Sequence, residues 1–142
     1  MDRKAEATWN GGLKDGNGSF KVGSGALKGA YSFASRFEGN AQTNPEEMIG
    51  AAHAACYSMA LSLALEKAGH TATSVTTKAT VRLNKGDAGF KITGIDLVTR
   101  GVAPGVSEAE FKKLAEATRT GCIVSQALSA VPMTIDARLE QA

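Results

Sequence analysis

The chain has 142 residues, the size of one ordinary domain, and its 43% hydrophobic content suffices for one core. A net charge of +2, with acids and bases interspersed, offers neither a nucleic-acid surface nor a charged tail. No apolar run approaches the roughly 18 residues of a membrane span. The charged start Met1-Asp2-Arg3-Lys4-Ala5-Glu6 lacks a signal-peptide core, so the expectation is a single cytoplasmic domain spanning 1–142 with no membrane or nucleic-acid partner.

In chain order, Ala7-Thr8-Trp9-Asn10, Gly18-Ser19-Phe20-Lys21-Val22 and Tyr31-Ser32-Phe33 read as short strands joined by glycine turns. The glycines between residues 11 and 25 follow no apolar strand and open no helix, so they are not a phosphate loop. A long helix follows. Asn44 caps it, Pro45 suits its first position, and Glu46 and Glu47 complement the positive end of its dipole. Met48, Ala52, Ala55, Cys56, Met59 and Leu63 recur at a helical period, further alanines widen the stripe, and Gly69 is the stop. A helix apolar almost all round belongs inside a fold or an oligomer.

Val75, Thr77, Ala79, Val81 and Leu83 then alternate as a strand, and Gly86-Asp87-Ala88-Gly89 supplies a turn. On the return strand Phe90 and Ile92 share one parity while Ile95 and Leu97 share the other, which predicts a bulge at Gly94. Ser107-Glu108-Ala109-Glu110 is a capping box opening a helix to about Thr120. Cys122 to Leu128 reads as a short third helix, and Met133, Ile135, Ala137 and Leu139 as a last strand. The fold class is α+β, with antiparallel sheets packed on a long central helix.

The chain has two cysteines, Cys56 and Cys122, too far apart in sequence for a CxxC motif. Composition alone makes them two small core residues. A thiol turns reactive when a cation, a helix amino terminus or directed donors lower its pKa. Cys122 sits at a helix start; Cys56 lies inside its helix and needs a cation, for which Arg36, between Phe33 and Phe37, is the candidate, although on these residues alone a solvated loop arginine is the plainer reading. Glu46 precedes Cys56 by ten residues, a rise of about 15 Å in one unbroken helix. Either that helix breaks at Gly50 or Glu46 reaches the Cys56 of a second subunit, and the apolar helix favours a dimer with composite sites. His53 shares a face with Cys56 and reads first as a packed polar residue. With His70 the only other histidine, a metal centre is not supported, and no cofactor is called for. Tyr57 and Ser58 read as packing and surface residues.

Arg36-Phe37-Glu38-Gly39, the run from Thr43 through Asn44-Pro45-Glu46-Glu47 to His53-Ala54-Ala55-Cys56, and Gly121-Cys122-Ile123-Val124-Ser125-Gln126-Ala127-Leu128 together resemble the OsmC/Ohr family, named for osmotically inducible protein C and organic hydroperoxide resistance protein. His-Ala-Ala-Cys favours the OsmC branch. The resemblance implies an intertwined homodimer and a thiol-dependent peroxidase for organic hydroperoxides, active in stress defence. By position, Cys56 resembles the peroxidatic cysteine, Cys122 the resolving one, Arg36 the arginine that holds the thiolate, and Glu46 the glutamate that positions that arginine. It further implies an external dithiol as reductant, a lipoyl-bearing protein in the Ohr branch. Ile123 stands where the family often has proline. Apolar Met48 and Met59 near Cys56 suggest a pocket for an organic tail. The rival reading is a dimeric protein binding an apolar small molecule, its cysteines passive; a third is a structural stress-assembly protein.

Overall fold

The computed structural model describes residues 1–39 and 41–140, and the chain divides into two units, Met1–Met48 and Ile49–Ala142. In the first, β1 (Ala5–Asn10), β2 (Asn17–Val22) and β3 (Lys28–Tyr31) form an antiparallel sheet in that order. Gly18 pairs with Trp9 on one side and Tyr31 on the other. A Cβ there would lie 2.4 Å from the Tyr31 ring, so glycine lets the two aromatic rings approach to 5.5 Å.

Ser32 and Phe33, expected in a strand, instead open the short helix α1 (Phe33–Phe37). The Ser32 hydroxyl accepts from the Ser35 N–H at 3.1 Å, and the Ser35 hydroxyl accepts from the Ser32 N–H at 2.9 Å. This reciprocal capping box satisfies two donors and overrides the strand propensity of the aromatics.

Helix α2 (Pro45–Lys67) begins as its sequence predicts: the Asn44 side chain accepts from the Glu47 N–H at 2.9 Å. It ends in a Schellman motif, with His70 N–H on the Leu65 carbonyl, Gly69 N–H on the Glu66 carbonyl, and Gly69 at φ +89°. The helix does not break at Gly50. That glycine is buried, and a Cβ added to it would meet the Ala79 carbonyl at 3.5 Å. One 18-residue window of α2 has a mean hydropathy of 1.5, so by length and composition it matches a membrane span. Counting uninterrupted apolar runs missed this, because His53, Ser58 and Ser62 interrupt the run without much lowering its mean.

In the second unit, β4 (Ser74–Gly86) and β5 (Gly89–Val102) form a long antiparallel hairpin, and β6 (Met133–Leu139) joins β5 in parallel. The parallel pairing departs from a wholly antiparallel expectation. Its cause is the connection: α3 (Glu108–Gly121) and α4 (Ile123–Ala127) lie between β5 and β6 and supply the crossover that parallel strands need. The register shifts where Arg82 pairs with Gly94 and Leu83 with Ile92, leaving Thr93 as the extra residue. The bulge thus falls beside the expected Gly94, where a Cβ would meet the Arg82 guanidinium at 2.8 Å.

After the bulge, Ile95, Leu97, Thr99 and Gly101 share one face with paired residues Val81, Ala79, Thr77 and Val75 of β4 and with Met133, Ile135, Ala137 and Leu139 of β6. The other face is polar, with ion pairs Arg82–Asp96 and Arg100–Asp136. On the apolar face, Tyr57, Leu61 and Leu65 of α2 and Phe111 and Ala115 of α3 have no exposed surface. Each large side chain so buried contributes about 1.5–3 kcal/mol. The Tyr57 hydroxyl donates to the Ala115 carbonyl at 2.7 Å, fixing α2 against α3. Ser58, expected at the surface, donates to Thr77 at 2.8 Å and tethers α2 to the sheet. The Ser107 cap of α3 forms only half of the expected box: it accepts from Glu110 N–H, while the Glu110 carboxylate lies 3.5 Å from His70.

Candidate active site

Two constellations contain the four residues singled out from sequence, one in each unit. In the first unit α1 carries Arg36 in its last turn, and Glu46 stands in the first turn of α2. Arg36 Nη2 donates to Glu46 Oε1 at 2.7 Å, and Nε lies 3.2 Å from both carboxylate oxygens. The Glu46 side chain is 9% exposed and that of Arg36 40%. A buried carboxylate held by one edge of a guanidinium keeps that guanidinium planar and aimed, and the Nη1 end takes no part in the pair. The Phe37 ring lies 5.4 Å from the Arg36 guanidinium carbon and narrows its freedom further.

In the second unit Cys56 projects from α2 and Cys122 is the residue at which α3 ends and α4 begins. Their sulfurs lie 3.1 Å apart and both are free thiols. A separation of 66 residues gave no hint of this contact. It follows from α3 and α4 folding back over the sheet onto α2. Ile123, in the place of the family's proline, is 78% exposed and leads into α4, so the helix starts at this point without a proline.

The two thiols differ in acidity. Burial pushes the Cys56 thiol up, and although the Val124 and Ile123 N–H groups oppose this, Cys56 stays above the ordinary thiol value. Burial also pushes Cys122 up, but N–H groups in the first turn of α4, Ser125 first, together with the Cys56 thiol and the Ser125 hydroxyl, outweigh it and leave Cys122 below its ordinary value. Within this unit, therefore, the thiol at the helix start is the more acidic one. Cys56 has no cation among the groups that shift it.

Beside the sulfurs, His53 Nε2 and Ser125 Oγ are 2.7 Å apart, both residues buried. Burial pushes the His53 pKa down, so the ring is neutral at pH 7. Ser125 was not singled out by sequence. The available signal was its place three residues after Cys122, where a side chain reaches back to a helix cap. Met59, expected to line an apolar pocket, is 75% exposed, because it lies on the opposite face of α2 from Tyr57 and Leu61. The chain therefore does not itself enclose Met59. Among the described residues no three His, Cys, Asp or Glu side chains gather as metal ligands.

Comparison with known proteins gives a consistent set of relatives. The family profile described as OsmC-like protein matches residues 38–136. Peroxiredoxin OsmC of Escherichia coli (strain K12) is 48% identical over 141 residues, covering 99% of this chain and 98% of that one. Organic hydroperoxide resistance protein OhrA of Bacillus subtilis (strain 168) is 35% identical over 101 residues, 70% of this chain and 67% of that one. The crystal structure of OhrB of Bacillus subtilis superimposes with a TM-score of 0.70 at 26% identity, covering 98% of each chain.

Proposed function

The chain belongs to the OsmC family, and from that membership we propose that it is a cysteine-based peroxidase that reduces organic hydroperoxides to alcohols. The observation that carries this reading is the 3.1 Å approach of the two free thiols, one turn of α2 meeting the start of α4. The Cys56 thiolate attacks the distal peroxide oxygen, the O–O bond breaks, and the alkoxide takes a proton and leaves as alcohol. Cys56 is now a sulfenic acid. Cys122 attacks its sulfur, and a Cys56–Cys122 disulfide forms as water departs. An external dithiol then restores both thiols by exchange, and a lipoyl-bearing protein suits that role.

Arg36 and Glu46 complete the site. Burial raises the Cys56 thiol, so it needs a cation to ionise at neutral pH. The aimed Nη1 end of Arg36 is suited to hold the thiolate and polarise the peroxide, with Glu46 fixing its plane. Because α2 runs unbroken from Pro45 to Lys67, we take the Arg36–Glu46 pair from one subunit and Cys56 from the other. The protein is then an intertwined homodimer of single-domain chains. The exposed apolar side chains Met59 and Leu63, 75% and 50% accessible, supply a face for that association. We read α2 accordingly as a core and interface helix rather than a membrane span, and the protein as cytoplasmic and active in oxidative or osmotic stress defence.

Mass spectrometry before and after one equivalent of cumene hydroperoxide tests the reading. The intact chain should lose two hydrogens, with Cys56 and Cys122 joined in one peptide pair. Cys56→Ser should be inert, whereas Cys122→Ser should react once and then stall or over-oxidise. A protein that binds an apolar molecule with passive cysteines would show no peroxide-dependent mass change, and that outcome would overturn the proposal.

A further inference from the structure

His53 and Ser125 are buried polar groups that the steps above leave unused. His53 has no exposed surface and Ser125 only 3%. They stand 72 residues apart in sequence and meet at 2.7 Å. Each lies one helical turn from a sulfur: His53 three residues before Cys56 on α2, Ser125 three residues after Cys122 on α4. A histidine that merely filled this space would be poorly suited to it, since its Nδ1 is buried with no hydrogen-bond partner among the described residues.

That orphaned nitrogen bears on the tautomer. With the proton on Nε2, His53 donates to Ser125 Oγ and the unpaired atom is a bare lone pair. With the proton on Nδ1, an unpaired N–H is buried and the Ser125 proton is spent on Nε2. Orphaned buried N–H groups are the rarer kind, which favours the first arrangement. The Ser125 hydroxyl proton is then free for the Cys122 sulfur one turn back at the start of α4, and Ser125 is among the groups that lower the Cys122 pKa.

We propose that His53 Nε2–H, Ser125 Oγ–H and Cys122 Sγ form a directed donor chain that prepares Cys122 as the nucleophile of the disulfide-forming step. This rests on the disulfide reading given above. In that step the Cys122–Cys56 sulfur–sulfur bond forms and the Cys56 sulfur–oxygen bond breaks. The electron pair of the broken bond leaves with hydroxide, which takes the proton given up by the Cys122 thiol and departs as water. In this chain Ser125 donates to the reacting sulfur and is the catalytic residue of the step; His53 acts through Ser125, 2.7 Å away, and is a positioning residue. Both end in the protonation state in which they began. The attack of Cys56 on peroxide does not pass through the chain, so the two steps separate kinetically.

The test mixes the reduced full-length protein rapidly with one equivalent of cumene hydroperoxide, quenches in acid, and reads Cys56 sulfenic acid and the disulfide separately by mass spectrometry. Ser125→Ala should slow disulfide formation at least tenfold relative to sulfenic acid formation, and excess peroxide should convert Cys56 to sulfinic acid. Ser125→Thr, which keeps the hydroxyl, should restore the ratio to within threefold. His53→Gln should keep most of it, and His53→Leu should resemble Ser125→Ala. If Ser125→Ala closes the disulfide at the wild-type rate, the proposal is overturned. If both steps and the thermal midpoint fall together with no rescue by threonine, the pair is only structural and the proposal is again overturned. A wild-type protein that consumes peroxide but forms no disulfide would sink the disulfide reading itself, a distinct result.

Discussion

The Cys56 thiol, left to its own unit, is held in the wrong protonation state for nucleophilic attack. Its pKa is raised by burial, so at pH 7 the neutral thiol dominates. The sign of the pH dependence follows. Sulfenic acid formation rises with pH through the thiol pKa, and a cation beside the sulfur shifts the rise to lower pH. Arg36→Met should therefore slow the first step about 100-fold at neutral pH, with the deficit shrinking as the pH rises and the thiolate forms unaided. Stopped-flow rates from pH 6 to 10 check this; a deficit independent of pH would assign Arg36 to substrate binding alone. Cys56, Cys122, Arg36 and Glu46 were singled out through the motif around them, and the structure pairs Arg36 with Glu46 and Cys56 with Cys122. The partnership of His53 with Ser125 was not legible in the sequence, since a spacing of 72 residues carries no information about proximity.

Helix α2 was legible at both ends, because Asn44 and Gly69 are local signals that act on backbone groups within one turn. The bulge was legible as well, since a change of side-chain parity has no other solution on a sheet with one apolar face. Two features were not. Short α1 rests on two serine hydroxyls rather than on periodicity, and the parallel run of β6 depends on where two later helices carry the chain. Gly50 shows the same division: its sequence suggests a helix break, while its position against β4 shows a close but unstrained approach. A Cβ at 3.5 Å from the Ala79 carbonyl and 3.6 Å from Val81 is in ordinary contact. Gly50→Ala should thus stabilise the protein by about 0.5–1 kcal/mol through helix propensity. Urea unfolding checks this, and a loss of stability would mean that the helix cannot sit over the sheet with a methyl group there.

At the scale of the molecule, α2 presents two apolar faces. His53, Tyr57, Leu61 and Leu65 are buried in the chain's own core, while Ala51, Ala55, Met59 and Leu63 are exposed. The exposed stripe recurs at helical spacing, which is the pattern of a face that another helix covers. If the proposed dimer forms through this face, Met59→Glu should place a charge in the contact, shift the protein to monomers in sedimentation, and remove peroxidase activity while the secondary structure persists. Full activity from a sedimenting monomer would show that one chain completes the site. The proposed dimer rests on the distance from Glu46 to Cys56, and the exposed face of α2 is a separate argument for the same proposal.

The same helix bears on how the protein is made. Synthesis runs from the amino end, so α2 is complete while the 72 residues from 68 to 139, which include β4–β6 and α3, are still to come. At the usual elongation rates this lasts on the order of 4–14 s. Throughout that interval a 23-residue helix as apolar as a membrane span lacks the β4–β6 sheet that covers its buried face in the finished fold. Its native stability offers no protection then, so the yield of folded protein is decided by what shelters the nascent chain rather than by the thermodynamics of the finished fold.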